Sequence, residues 1–242
     1  MDGILQCSRY AFGPNRLHYC GPDSNSQLYA NIKESAVDPD LTRILSQFET
    51  MYPYLRHIAA ANHVKDPLDA RCVEAYWIGN ELLDHVDKQL FYEHLVDGLG
   101  LKKKLGKSFA IVEDKVGLGA VPHHSFHVLD IWQRTGRVER EHTLESMDDC
   151  LVSTGVVESV AGPFISVARV PLLYENRKLL LGAPVTRRYA RKLESDYEIE
   201  QLKQGDIVTI HWGVICERIS TRQAAMLRKY TQHHIALANL TI

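Results

Sequence analysis

The spacing of apolar residues changes near residue 150, and this change limits the fold more than any other feature of the sequence. Before it, apolar residues recur at helical intervals, as in the run from Leu41 to Phe48, and Asp38-Pro39 is typical of a helix start. After it, short apolar runs alternate with Gly, Pro and charged turns, which indicates strands. Segregated helices and strands predict an α+β protein.

The predicted elements divide the chain into two units. Residues 1–145 are predicted as a mostly helical domain, irregular up to about residue 26 and containing strands at 109–112 and 126–131. Residues 146–242 are predicted as a small OB-like β-barrel followed by a C-terminal helix, with strands at 151–160, 164–170, 178–181 and 207–215. Ser220 is the predicted N-cap of that helix, and Gln223 completes a capping box.

Composition and charge exclude several classes of protein. The 28 Lys and Arg residues against 30 Asp and Glu residues give a net charge of −2, and 45% of the chain is hydrophobic, as in soluble globular proteins. No apolar run reaches the roughly 18 residues of a membrane span, and no secretion signal is recognised. Five cysteines form an odd and sparse set that fits reduced thiols. We therefore expect a cytoplasmic protein that binds neither membrane nor nucleic acid.

A cysteine and a histidine-bearing strand mark the two ends of the predicted barrel. Cys150 opens the unit and Gly155 follows five residues later. The last strand lies in the sequence Gly205-Asp206-Ile207-Val208-Thr209-Ile210-His211-Trp212-Gly213. In this order, before a capped helix, these motifs resemble the HypC/HupF type of nickel–iron hydrogenase assembly chaperone. The resemblance covers residues 150–242, whereas the N-terminal part resembles an uncharacterised bacterial family.

The resemblance implies a function and a site. It implies a maturation factor that holds an iron fragment, bearing cyanide and carbonyl ligands, through Cys150 and His211. The implied partners are the hydrogenase large subunit or other maturation proteins. The residue types fit this chemistry, because a thiolate and a neutral imidazole both suit low-valent iron and two protein ligands leave positions open.

The densest group of the twelve histidines lies in Pro122-His123-His124-Ser125-Phe126-His127. On a strand, His123 and His127 would share one face but lie about 13 Å apart, so a direct chelate would need a bend. Cys20 lies in a loop between Gly-Pro corners and is a candidate further ligand. These residues suggest a second metal site, for iron or, as the weaker candidate, zinc.

Two other functions stay open at this point. The first is a Cys/His metalloenzyme with a site around Cys20, His123, His124 and His127. The second is a metal-free protein-interaction module, in which the histidines serve packing. Whether the protein is an enzyme, and its oligomeric state, are not predicted.

Overall fold

A computed structural model describes residues 2–131, 143–190 and 197–242. The predicted α+β class is confirmed, because the helices before residue 150 precede a region dominated by strands. Among the described residues, none of the helices combines the length and apolar character needed to cross a membrane.

Helices make up most of the chain before residue 150. The α-helices are α1 (Gly3–Asn15), α2 (Asn25–Glu34), α3 (Pro39–Ser46), α4 (Met51–Ala61), α5 (Ala70–Trp77), α6 (Lys88–Glu93), α7 (Leu101–Leu105), α8 (Phe109–Gly117), α9 (His124–Phe126) and α10 (Leu144–Cys150). Short 3-10 turns lie at Glu81–His85 and Gly106–Ser108, and π-helical segments lie at His94–Gly98 and His127–Ile131. Asp38 caps α3 and Pro39 is its first residue, as predicted.

The strands form one five-stranded antiparallel sheet and a separate hairpin. The strands are β1 (Ser153–Ala161), β2 (Phe164–Arg169), β3 (Leu172–Glu175), β4 (Lys178–Leu181), β5 (Val185–Ala190), β6 (Ile207–His211) and β7 (Val214–Ile219). The sheet has the order β5-β2-β1-β6-β7, and β3 pairs with β4. Two helices complete this part: α11 (Tyr197–Glu200) and α12 (Thr221–Ala238), whose predicted capping box between Ser220 and Gln223 is confirmed.

The predicted barrel is not closed. Within the described ranges, β5 and β7 lie at opposite edges of the sheet order and have no ladder between them. The glycine of the Cys150–Gly155 motif lies in β1, where an added Cβ would be 2.3 Å from Val167 Cγ1. Glycine therefore allows β1 and β2 to approach closely at this point.

Several predicted elements are wrong for identifiable reasons. The segments 109–112 and 126–131 are helical rather than extended. They were predicted as strands because a short apolar run has the same appearance in a buried helix and in a strand. Residues 3–15 form helix α1 rather than an irregular segment. Nearly all residues of α1 are buried, so its sequence lacks the one-sided apolar pattern of a surface helix. The strand predicted at 207–215 is a hairpin that turns at Trp212-Gly213.

The main hydrophobic core contains side chains from both sides of the predicted boundary at residue 145. Tyr10 and Tyr76 from the helical part share one cluster with Val208 and Ile215 from the sheet. Helix α1 contacts both β6 and β7. Residues from distant parts of the sequence are therefore brought to one place, where α1 meets the β6–β7 hairpin.

A buried ion pair ties α10 to the sheet. Arg169 donates to both carboxylate oxygens of Asp148, at 2.7 and 2.8 Å, and to its backbone carbonyl at 2.7 Å. The Nε–H of Arg169 bonds to Ser153 Oγ at 2.7 Å, and the N–H of Leu172 donates to Asp148 Oδ1 at 2.7 Å. These bonds satisfy both charges and hold the end of α10 against β2.

The Arg169→Met variant should lose about 3–5 kcal/mol of unfolding free energy, because it leaves the Asp148 carboxylate buried without its cation. Urea unfolding in the presence of a chelator measures the loss. Arg188→Met removes an exposed arginine from the neighbouring strand β5, whose guanidinium lies 4.3 Å from the centroid of the Phe164 ring, and should cost no more than about 1 kcal/mol. A loss below about 1 kcal/mol in Arg169→Met would contradict the structural role given to this pair.

Candidate metal centre

Three metal-ligating side chains from three different elements converge in the structure. His124 lies at the start of α9, Cys150 ends α10, and His211 ends β6. One ligand atom from each lies within 4.8 Å of the other two. A tetrahedral metal with bonds of about 2.0–2.3 Å holds its ligand atoms roughly 3.5 Å apart. Small side-chain adjustments would therefore bring the His124–Cys150–His211 cluster around one ion.

Backbone contacts place Cys150 beside His211. The N–H of Trp212 donates to the carbonyl of Asp149 at 2.8 Å, which joins the β6–β7 turn to the end of α10. Trp212 has a φ of 50° and Gly213 a φ of 69°, so the turn uses two residues in the left-handed region. That conformation is unfavourable for a bulky side chain such as Trp, and the strain lies directly next to a candidate ligand.

His211 is oriented for coordination through Nε2. Its Nδ1–H donates to the backbone carbonyl of Tyr10 at 2.8 Å, so the lone pair of the neutral ring lies on Nε2. This Nε2 atom is buried and has no hydrogen-bond partner among the described residues. Histidines that ligate metals have this arrangement: one ring nitrogen donates its N–H to a carbonyl, and the other has a free lone pair.

His124 has the opposite orientation. Its Nε2–H donates to the carbonyl of Cys150 at 2.8 Å, which leaves the lone pair on Nδ1. The hydroxyl of Tyr76 lies 3.2 Å from this Nδ1 and donates to it. The carbonyl of Cys150 thus orients one histidine of the cluster, while its thiol is a candidate ligand.

Burial keeps both histidines neutral at neutral pH. It lowers the pKa of His211 to about 4, although the hydrogen bond to the carbonyl of Tyr10 acts in the opposite direction. Burial also lowers the pKa of His124 well below its usual value, and the nearby His211 lowers it further. Because only a neutral imidazole can coordinate a metal, both rings are in the form that binds.

The cluster lies in the wall of a narrow cleft that is partly open to solvent and has a cavity volume of about 80 Å³. The other walls are mainly aromatic and aliphatic, and they include Phe48, Met51, Trp77, Val128 and Trp212. Trp77 packs against both rings of the cluster, with centroids 4.5 Å from His124 and 5.3 Å from His211. A metal held here would face a mostly apolar cavity with room for a few water molecules or a small ligand.

The structure separates the six candidate residues into three groups. His124, Cys150 and His211 form the cluster. Cys20 and His127 line the same cleft, but they are not among the residues whose ligand atoms form the cluster. His123 lies outside the cleft lining: its Nδ1 contacts Ser125 Oγ at 2.8 Å, and that hydroxyl contacts His234 Nδ1 at 2.7 Å. The side chain of His123 also caps α9, which fixes the turn that presents His124.

The comparison with protein families covers the whole chain. A model described as a family of unknown function, DUF6390, matches residues 1–242. The chain belongs to this family. No curated protein and no solved structure matches the sequence. The DUF6390 match runs without interruption across residue 145, as does the hydrophobic core.

Two residues that contact the candidate ligands were not predicted from the sequence. Tyr76 contacts His124 through its hydroxyl, and the carbonyl of Tyr10 accepts the Nδ1–H of His211. Both tyrosines lie on helices at positions that resemble ordinary core residues, and both are buried. A backbone carbonyl has no sequence signal, so the role of Tyr10 could be found only in three dimensions.

Proposed function

We propose that this DUF6390 protein is an accessory factor of nickel–iron hydrogenase maturation, and that it holds an iron fragment at His124, Cys150 and His211. The observation that carries the proposal is the convergence of these three ligand atoms within 4.8 Å. One thiolate and two neutral imidazoles suit low-valent iron, and three protein ligands leave coordination positions for diatomic groups.

The N-terminal helices have a definite role in this proposal. His124 supplies a ligand, and Tyr10 of α1 orients His211 through a 2.8 Å hydrogen bond. Neither residue lies in the part of the chain that resembles the HypC/HupF type. The helical part would therefore complete, within one polypeptide, a site for which the resemblance alone supplies only Cys150 and His211.

The cleft supports holding and release of a fragment. Its apolar walls limit the access of water to the cluster, and its open side offers a way out towards a partner. The partner would be the hydrogenase large subunit or another maturation protein in the cytoplasm. A carrier of this kind binds and transfers its cargo and lowers no chemical barrier itself.

Anaerobic purification from a host that makes a nickel–iron hydrogenase tests the proposal. We expect stoichiometric iron, together with infrared bands in the cyanide and carbonyl stretching region. Both should be lost in His124→Ala and His211→Ala but retained in His85→Ala, a histidine outside the cleft. Iron or zinc without these bands would contradict the proposal that the bound metal carries cyanide and carbonyl ligands. A preparation without metal would favour the protein-interaction module.

A Cys/His metalloenzyme is the second candidate, and His127 favours it. His127 lines the cleft outside the cluster, and its Nδ1 lies 3.4 Å from the hydroxyl of Tyr54. An imidazole at this place could accept or donate a proton during a reaction at the metal. In this alternative, His127→Gln would retain the metal and lose turnover, whereas a carrier would retain both its metal and its transfer of metal to a partner.

A further inference from the structure

The hydroxyl of Tyr76 occupies a specific place beside the His124–Cys150–His211 cluster. It lies 3.2 Å from Nδ1 of His124, and this is its only hydrogen bond among the described residues. The Tyr76 side chain is 1% exposed, so water does not replace a missing partner. Its ring is held by Tyr54 at 5.5 Å and Trp77 at 4.8 Å between centroids. The hydroxyl is therefore a fixed donor rather than a freely moving one.

Metal binding would remove the acceptor of this donor. The Nε2–H of His124 is bonded to the carbonyl of Cys150, so Nδ1 carries the lone pair that a metal would take. Once that lone pair is coordinated, the Tyr76 hydroxyl would be left buried without a partner. A buried donor without an acceptor is unfavourable, so a new acceptor is needed close by.

An exogenous ligand on the metal is the nearest source of an acceptor. The cluster would supply three protein ligands to a metal, and it lies in the wall of a cleft whose lining also includes Tyr76. A neutral apolar ligand would leave the hydroxyl unsatisfied, whereas an anion accepts its hydrogen bond strongly. A tyrosine hydroxyl keeps its proton at neutral pH, so Tyr76 acts as the donor.

We propose that Tyr76 is a positioning residue that donates a hydrogen bond to a small anion bound at the open position of the metal. The inference rests on the proposed metal site, but it holds for any metal carried there. It assigns the ligand class of the open position: an anion small enough for its coordinating end to reach both the metal and the hydroxyl.

Azide binding to the cobalt-loaded full-length protein tests this role. Azide is added to wild type and to Tyr76→Phe, and the visible d–d bands of Co²⁺ report the affinity. We expect Tyr76→Phe to bind azide about 10- to 100-fold more weakly, the value of a hydrogen bond to a charged group. Its affinity for Co²⁺ should be equal to or higher than that of wild type, because Nδ1 of His124 loses a competing donor. Tyr54→Phe, which removes a neighbouring buried hydroxyl, should keep the wild-type azide affinity within about twofold.

The outcomes separate the two proposals. Wild type that binds no Co²⁺ overturns the metal site and this inference with it. Co²⁺ binding together with equal azide affinities in wild type and Tyr76→Phe overturns the inference alone. A measurement on wild type covers the case in which Tyr76→Phe does not fold. The antisymmetric stretch of bound azide should shift between H₂O and D₂O when an exchangeable proton bonds to it, and identical bands would overturn the role of Tyr76.

Discussion

Replacing Cys150 with alanine should weaken metal binding at least about 100-fold. Loss of a residue that merely orients a ligand typically costs 10- to 100-fold in metal affinity, and loss of a ligand costs more. Cys150 supplies the only sulfur of the cluster and the only group in it that becomes an anion on binding. Competition against a chromophoric chelator, with Fe²⁺ and Zn²⁺ in separate anaerobic titrations, measures the change.

Two other cysteines provide matched controls for this variant. Cys72 is fully buried in α5 and lies outside the cleft lining, so Cys72→Ala should keep the wild-type affinity. Cys20 lines the cleft outside the cluster, and Cys20→Ala should change the affinity by less than about tenfold. Equal affinities in Cys150→Ala and wild type would show that the thiol is not a ligand.

Acid should destabilise the protein between about pH 6.5 and 5, above the range in which ordinary carboxylates titrate. Burial lowers the pKa of His94 to about 3, with smaller contributions from His57 and Arg56, and lowers that of His234 well below its usual value. In the unfolded chain both titrate near 6.5. As pH falls below about 6.5 the unfolded state gains protons that the folded state does not, so stability is lost progressively until the folded pKa is reached. At pH 5, about 1.5 units below the unfolded value, His94 should cost about 2 kcal/mol, and His234 acts in the same direction.

Asp130 acts in the opposite direction and has to be separated from the histidines. It lies 3.1 Å from Lys115 Nζ, yet burial outweighs that attraction and raises its pKa to about 7. The folded state therefore holds this proton more tightly than the unfolded state, which favours folding as pH falls from about 7 towards 4. The contribution of Asp130 cancels when two proteins that both contain it are compared.

Urea unfolding of wild type and His94→Gln between pH 7.5 and 5, with chelator present, isolates the effect of one histidine. The stability of wild type should fall more steeply towards pH 5 than that of His94→Gln, by about 2 kcal/mol over this range. His63 is exposed, and His63→Asn should follow wild type. Parallel curves for wild type and His94→Gln would show that burial of His94 does not cause the pH dependence.

Local signals in the sequence were sufficient for much of the fold. The capping box at Ser220 and the Asp38-Pro39 helix start depend on neighbouring residues only, and both are confirmed. Helix α1 was missed because burial on nearly all sides removes the periodic pattern. Closure of the barrel could not be judged either, since it depends on pairing between strands that are distant in the chain.

The candidate site shows the same division between local and long-range information. Cys150 and His211 stand out because each belongs to a recognisable motif. Their convergence with His124 depends on the bond between Trp212 and Asp149 and on packing around Trp77, which no local pattern encodes. Treating residues 124–128 as a strand grouped His123 with His127. The observed helix start at His123 instead turns it away from the cleft and presents His124.

X-ray absorption at the edge of the bound metal tests the central claim most directly. The His124–Cys150–His211 site predicts one sulfur and two imidazole nitrogens, at about 2.3 Å and 2.0–2.1 Å for a zinc-loaded sample. The sulfur shell should disappear in Cys150→Ala, and one imidazole should be lost in His211→Ala. A first shell made only of oxygen and nitrogen in wild type, or a sulfur shell that persists in Cys150→Ala, would contradict the assignment of the metal to this cluster.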